Sequence, residues 1–151
     1  MKIKVLLLFL VVLAGLGFFF LRKGVPAPLP SSSLEETRVE EPVSFEASFE
    51  IFTNGTKRIF TDSRYHNLSN RVYLEGSDPS IVQVRAEGVT WGEFFNSLPM
   101  KLTKDCLTTG TGQTFCESSG GVLGFFINDI HTPEALEKEI KSGEHLLITY
   151  K

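Results

Sequence analysis

FEASFEIFTNGTKRIF, residues 45–60, carries the local pattern on which the fold of the chain turns. Phe45, Ala47, Phe49 and Ile51 alternate with Glu46, Ser48 and Glu50, so a strand of period two lays one row on a core and the other toward water. Asn54-Gly55 then precedes Lys57-Arg58-Ile59-Phe60, and that dipeptide accepts the positive φ values of a tight turn. The stretch therefore reads as a β-hairpin with one buried face. Asn54-Gly55-Thr56 also matches an N-glycosylation sequon, as does Asn67-Leu68-Ser69, although the turn is sufficient to explain the first.

Toward the C-terminus, Arg71 to Leu74 and Ser80 to Ala86 read as two further strands, separated by Gly76-Ser77-Asp78-Pro79. The period then changes. Thr90 followed by Trp91, Glu93, Phe94, Phe95 and Leu98 fits a short helix with a threonine N-cap and Glu93 at the capping-box position, stopped by Pro99. Met100 to Thr103 resumes as strand, and Val122 to Ile127 reads as a buried one. Thr132-Pro133-Glu134 has the form of a second helix start, with Gly143 at its end and Glu134-Lys138 and Glu137-Lys141 as favourable i,i+4 pairs on a solvated face. Leu146 to Tyr150 closes the chain as a strand. The order predicts an α+β domain, a small mixed sheet with one or two short helices on one face.

Toward the N-terminus, Val5 to Leu21 is VLLLFLVVLAGLGFFFL, seventeen residues without a charge, bracketed by Lys2 and Lys4 and by Arg22 and Lys23. As a helix it would cover about 25 Å, and flanking cations can snorkel across the remainder of a bilayer core. Residues 1–23 are therefore expected to form a transmembrane signal-anchor. A cleaved signal peptide is the rival, with Val12-Leu13-Ala14 as its cleavage site, but the run exceeds a usual h-region and stays apolar through Phe18-Phe19-Phe20. Residues 24–43, with Pro26, Pro28, Pro30, Pro42 and three consecutive Ser, read as a spacer, and 44–151 as the soluble domain. The acidic residues Glu35, Glu36, Glu40 and Glu41 beyond the apolar run favour a C-terminal side outside the cytoplasm.

From Ser44 onward ten Lys or Arg face fourteen Asp or Glu, a net of −4 with His neutral, so nucleic acid is not an expected partner. Thirteen Phe in the chain supply enough apolar area for a core that needs no cofactor. The two cysteines, Cys106 and Cys116, flank a polar, glycine-bearing stretch between two strands and are read as a disulfide in an oxidising compartment. Free core thiols, half of a metal site or a redox-active dithiol are the alternatives. His66, His131 and His145 are scattered rather than set at metal-ligand spacing, and no C-x-x-C is present.

Lys141-Ser142-Gly143-Glu144-His145 with Leu146 to Tyr150 resembles the last turn and strand of β-grasp, ubiquitin-like domains. Over Phe45 to Tyr150, the segment Gly88-Val89-Thr90-Trp91-Gly92-Glu93-Phe94-Phe95, with Leu98, Cys106, Cys116 and the tail, is similar to a group of small membrane-anchored, mostly uncharacterised proteins of archaea and little-cultivated bacteria. The resemblance implies a β-grasp-like domain behind a membrane anchor. Relatives of that group carry a His-x-His pair where this chain has Gln83-Val84-Arg85, which removes both imidazoles as metal ligands here. A disulfide-isomerase activity attached to some of them does not transfer without a C-x-x-C.

No G-x-S-x-G, H-E-x-x-H or phosphate-cradling glycine loop occurs. His66, beside Tyr65 in a polar loop, and Trp91 are the candidate ligand-binding residues; Trp91, Phe94 and Phe95, like Phe125-Phe126, suit core packing as well as a groove. The expected function is a membrane-tethered, extracytoplasmic binding or scaffold module with a protein partner. The alternative is thiol–disulfide exchange through Cys106 and Cys116.

Overall fold

The alternation of residues 45–53 is realised as strand β1, Phe45–Thr53, in which Ala47, Phe49, Ile51 and Thr53 are buried while Glu46, Ser48, Glu50 and Phe52 keep access to solvent. The structure, a computed structural model, describes residues 43–151. Asn54 and Gly55, at φ 51° and 76°, turn the chain into β2, Thr56–Lys57, as the Asn-Gly pair requires. The strands β3 (Val72–Glu75) and β4 (Asp78–Val84) follow, then the helix α1 (Trp91–Ser97). After it come β5 (Lys101–Leu102), β6 (Cys106–Thr108), β7 (Thr114–Cys116), β8 (Leu123–Ile127), β9 (Ile130–His131) and β10 (His145–Tyr150).

Among the described residues these strands form two sheets. The larger runs β3-β4-β1-β10-β8-β9, with β2 added to β1, and the smaller is β5-β6-β7. At the centre of the larger sheet β1 and β10 run parallel, Ser48 opposite His145 through Thr53 opposite Tyr150, whereas the other pairings are antiparallel. Leu146, Ile148 and Tyr150 of β10 are buried in step with Phe49, Ile51 and Thr53, so the two strands present one apolar face together.

Helix α1 packs on that face. The Thr90 hydroxyl accepts the Glu93 amide at 3.1 Å as an N-cap, and the chain leaves the helix at Leu98, extended before Pro99. Trp91, Phe94 and Phe95 turn inward and meet Phe49, whose ring lies 5.2 Å from that of Phe94, 5.6 Å from Phe95 and 5.0 Å from Phe60. The indole Nε1 of fully buried Trp91 donates to the Glu144 carboxylate at 2.9 Å, which satisfies the one polar atom of the side chain and ties α1 to the turn before β10.

The expected α+β class, with a transmembrane helix ahead of a β-grasp-like mixed sheet, is corrected by these observations. The described residues are mostly sheet, with α1 their one α-helix. None of their helices is long and apolar enough to cross a membrane, so the structure lends no support to a transmembrane helix; residues 1–23 and the spacer to residue 42 lie outside the described part. The helix expected from Thr132 to Gly143 is instead a single 3-10 turn at Ala135–Glu137 followed by extended backbone. There Lys138 accepts the Trp91 amide at 3.0 Å and Ile140 donates to Val89 at 2.8 Å, and burial of both Ala135 and Ile140 against the core is met by this path. The i,i+4 ion pairs give way to Lys141 with Glu139. Glu93, at the capping-box position, pairs with Arg71 at 2.8 Å.

The Lys141 ammonium, and then the Gly88 amide, hold the Glu139 carboxyl below its ordinary pKa. A carboxylate depressed in the folded state adds stability above its unfolded pKa, about 4.3, and loses it as pH falls through the lower folded value. Glu139→Gln should therefore lower stability slightly at neutral pH, converge with the parent protein below the folded-state pKa, and so flatten the acid limb of the profile, as read by urea midpoints across pH. Phe49→Ala should cost about 3–5 kcal/mol. Glu144→Ala should cost about 1–3 kcal/mol by stranding the Trp91 N–H, and Glu144→Gln, which keeps an acceptor, should recover most of that in the same denaturation measurement.

Candidate functional site

Cys106 and Cys116 stand directly opposite each other on β6 and β7, their Cα atoms 4.1 Å apart, and form a disulfide. They occupy the close, non-hydrogen-bonded position of an antiparallel ladder, because the neighbouring Asp105 carbonyl accepts the Glu117 amide at 2.9 Å outside the bond. Toward the hairpin tip, Leu107 faces Phe115 and Thr108 faces Thr114. The tip closes through Gln113 and Gly112, which bond back to Thr109, with Gly112 at φ 85°.

The hairpin is seated against the ends of β1 and β10. Leu107 is fully buried, and the Phe115 ring meets Tyr150 edge-on at 5.5 Å while the Tyr150 hydroxyl donates to the Cys116 carbonyl at 3.2 Å. Arg58 spans the gap: its Nε donates to Thr53 at 2.6 Å, its Nη1 to Gln113 at 2.9 Å, and its guanidinium lies 4.8 Å from the centre of the Phe115 ring. Arg58 is thus the cation that joins the two sheets.

Three concavities open beside these elements. One of about 180 Å³ lies between the tip residues Thr109, Gly110 and Thr111 and the apolar side chains of Phe60, Tyr65 and Met100. A second, of about 310 Å³, lies on the other flank of residues 57–60, against Phe49 and Pro79. Ile59, 71% exposed, lines both. The third, about 630 Å³, runs between the hairpin base at Lys104, Asp105 and Glu117 and the segment from Val122 through Glu137. Gly92 shapes its far wall: a Cβ there would lie 2.7 Å from the Leu136 carbonyl, so only glycine lets the 135–137 turn approach α1 this closely.

The residues expected to form a site do not converge. His66 is half-buried in its loop, with Nε2 donating to the Phe60 carbonyl at 2.8 Å and its backbone bridging to Leu74. Trp91 is sealed in the core with its N–H on Glu144. His145 shares a hydrogen bond with Ser48 at 2.9 Å, and His131 lies 5.3 Å from the Phe126 ring. Among the described residues no group of His, Cys, Asp and Glu is placed to hold a metal ion. The clefts went unread because they arise between distant segments; the exposed Ile59 and Val122, apolar residues interrupting polar surface, were their visible trace. Compared with protein-family models, with curated proteins and with solved structures, the chain matches none.

Protein isolated without reductant should resist alkylation at Cys106 and Cys116 until reduced. Replacing both with Ser should lower stability by roughly 2–3 kcal/mol without abolishing the fold, the amount expected for closing a loop of this length. Free thiols in the untreated protein, or complete unfolding of the double variant, would contradict the arrangement. His66→Ala should cost on the order of 1 kcal/mol through loss of the tie to Phe60.

Proposed function

We propose that residues 44–151 form an extracytoplasmic, non-catalytic binding or scaffold module whose recognition surface is built around the Cys106–Cys116 hairpin. The observation that carries this reading is the double use of the hairpin, whose tip walls the cleft at Ile59 and whose base walls the groove at Val122. A bond between directly opposed residues keeps both walls in place before a partner arrives, which lowers the ordering cost of association. The same bond supports a location outside the cytoplasm, where disulfides persist. A net charge of −4 over these residues suits a protein partner rather than nucleic acid.

Partial exposure of both cysteines favours a second reading, thiol–disulfide exchange through Cys106 and Cys116. The two readings separate on the reduction potential. A value below about −300 mV marks a structural bond and removes the exchange reading; a value in the range of the thiol–disulfide oxidoreductases would support it. For the binding module, chemical crosslinking of the full-length protein in its own cells should give one discrete complex, diminished in the Cys106→Ser/Cys116→Ser variant. Recovery as a bare monomer that turns over a substrate would overturn it.

A further inference from the structure

The groove of about 630 Å³ beside β8 has a partly open apolar floor, in which Val122 is 67% exposed and Leu136 half-buried, while Leu123 and Phe125 beneath them are buried. A partner that covers this floor removes apolar area from water, the largest general source of association free energy. The rim states the charge of that partner. Asp105, Glu117, Glu134 and Glu137 stand around the groove and none is in an ion pair among the described residues, whereas Glu50, Asp62, Glu93 and Glu139 elsewhere on the domain each hold a Lys or Arg. Lys104 is the only Lys or Arg among the residues that line it.

The form of the partner follows from how the acids are spread. They do not gather at a point, since among the described residues no set of carboxylates and imidazoles could hold a metal ion. Negative charge distributed along an apolar trough complements an extended chain that alternates cationic and apolar groups.

We propose that this groove docks a basic, apolar-anchored segment of a partner protein, its apolar side chain over Val122 and Leu136 and its Lys or Arg side chains against the four rim carboxylates. The inference rests on the binding-module reading and names the chemistry of its partner. The disulfide belongs to the same device: Cys106 and Cys116 adjoin Asp105 and Glu117, whose backbones bond to each other at 2.9 Å, so the bond holds two of the rim acids on one lip.

The test uses the full-length protein and two fluorescein-labelled nonapeptides, one alternating Lys with Leu and one alternating Glu with Leu, followed by fluorescence anisotropy. The Lys peptide is expected to bind at least tenfold more tightly than the Glu peptide, and to weaken as salt rises from 50 to 300 mM. Glu134→Lys/Glu137→Lys, at two exposed positions with no side-chain bond in the fold, is expected to cost tenfold or more in affinity, and Val122→Asp likewise, with circular dichroism unchanged. Leu68→Asp, at an exposed apolar position that lines none of the three clefts, is expected to change nothing. Equal binding of the two peptides, or no binding of either, would overturn the basic-segment assignment while the crosslinked complex still reports on the module itself. Loss of Lys-peptide binding in Ile59→Asp, in the other clefts, but not in the groove variants would overturn the groove as its seat.

Discussion

The parallel pairing of β1 with β10 is the constraint from which the rest of the domain follows. Parallel neighbours cannot be joined by a tight turn, so everything between Thr53 and His145 has to act as one long crossover. The register then decides which faces meet. Because Ser48 stands opposite His145, the buried residues of β1 fall beside Leu146, Ile148 and Tyr150, and a slip by one residue would turn β10 inside out. The antiparallel neighbours β4 and β8 are laid down against this central pair, and α1 has one apolar face to cover.

Phe49 is where that constraint becomes packing. It touches Phe60 from its own hairpin and Phe94 and Phe95 from the helix, and Phe60 passes the contact on to Tyr65. Edge-on and tilted rings at these separations add to the area they bury, and they join segments far apart in the chain. Tyr65 and Phe60 then form part of the cleft beside Ile59, so the same aromatic cluster that holds the sheet to α1 also supplies a wall of the surface outside it.

Much of this was legible in the residues because it is local. The period of two over Phe45–Ile51, the Asn-Gly turn, the Thr90 cap and the stop at Pro99 are short-range rules, and each element they indicate is present. The helix expected from Thr132 satisfied short-range rules equally well and failed. Its cap signal and ion-pair spacing are worth a few tenths of a kcal/mol each, while burying Ala135 and Ile140 and pairing Lys138 and Ile140 with residues 89–91 are worth more and require extended backbone. The class prediction overcounted helix for that reason. The site was less legible still: the cysteine pair could be read as a disulfide from its spacing, but Arg58 as a bridge between sheets, and grooves made by segments distant in the chain, are tertiary facts without a local signature.

The disulfide has a different weight in the fold and in the surface. Its contribution of roughly 2–3 kcal/mol in the chain-entropy model is no larger than that of one core aromatic such as Phe49, and Leu107 already anchors the hairpin by burial. The core would stand without it. The walls are another matter, because β5-β6-β7 is a sheet of two- and three-residue strands joined to the main body through Arg58, Tyr150 and Leu107. Pairs of strands this short are marginal in water, and opening them would displace Thr109 to Thr111 from one cleft and Asp105 and Glu117 from the other groove at once. A covalent bond between opposed residues removes that opening motion at the position that controls both rims, which places its main effect on the constancy of the recognition surface rather than on the folding of the domain.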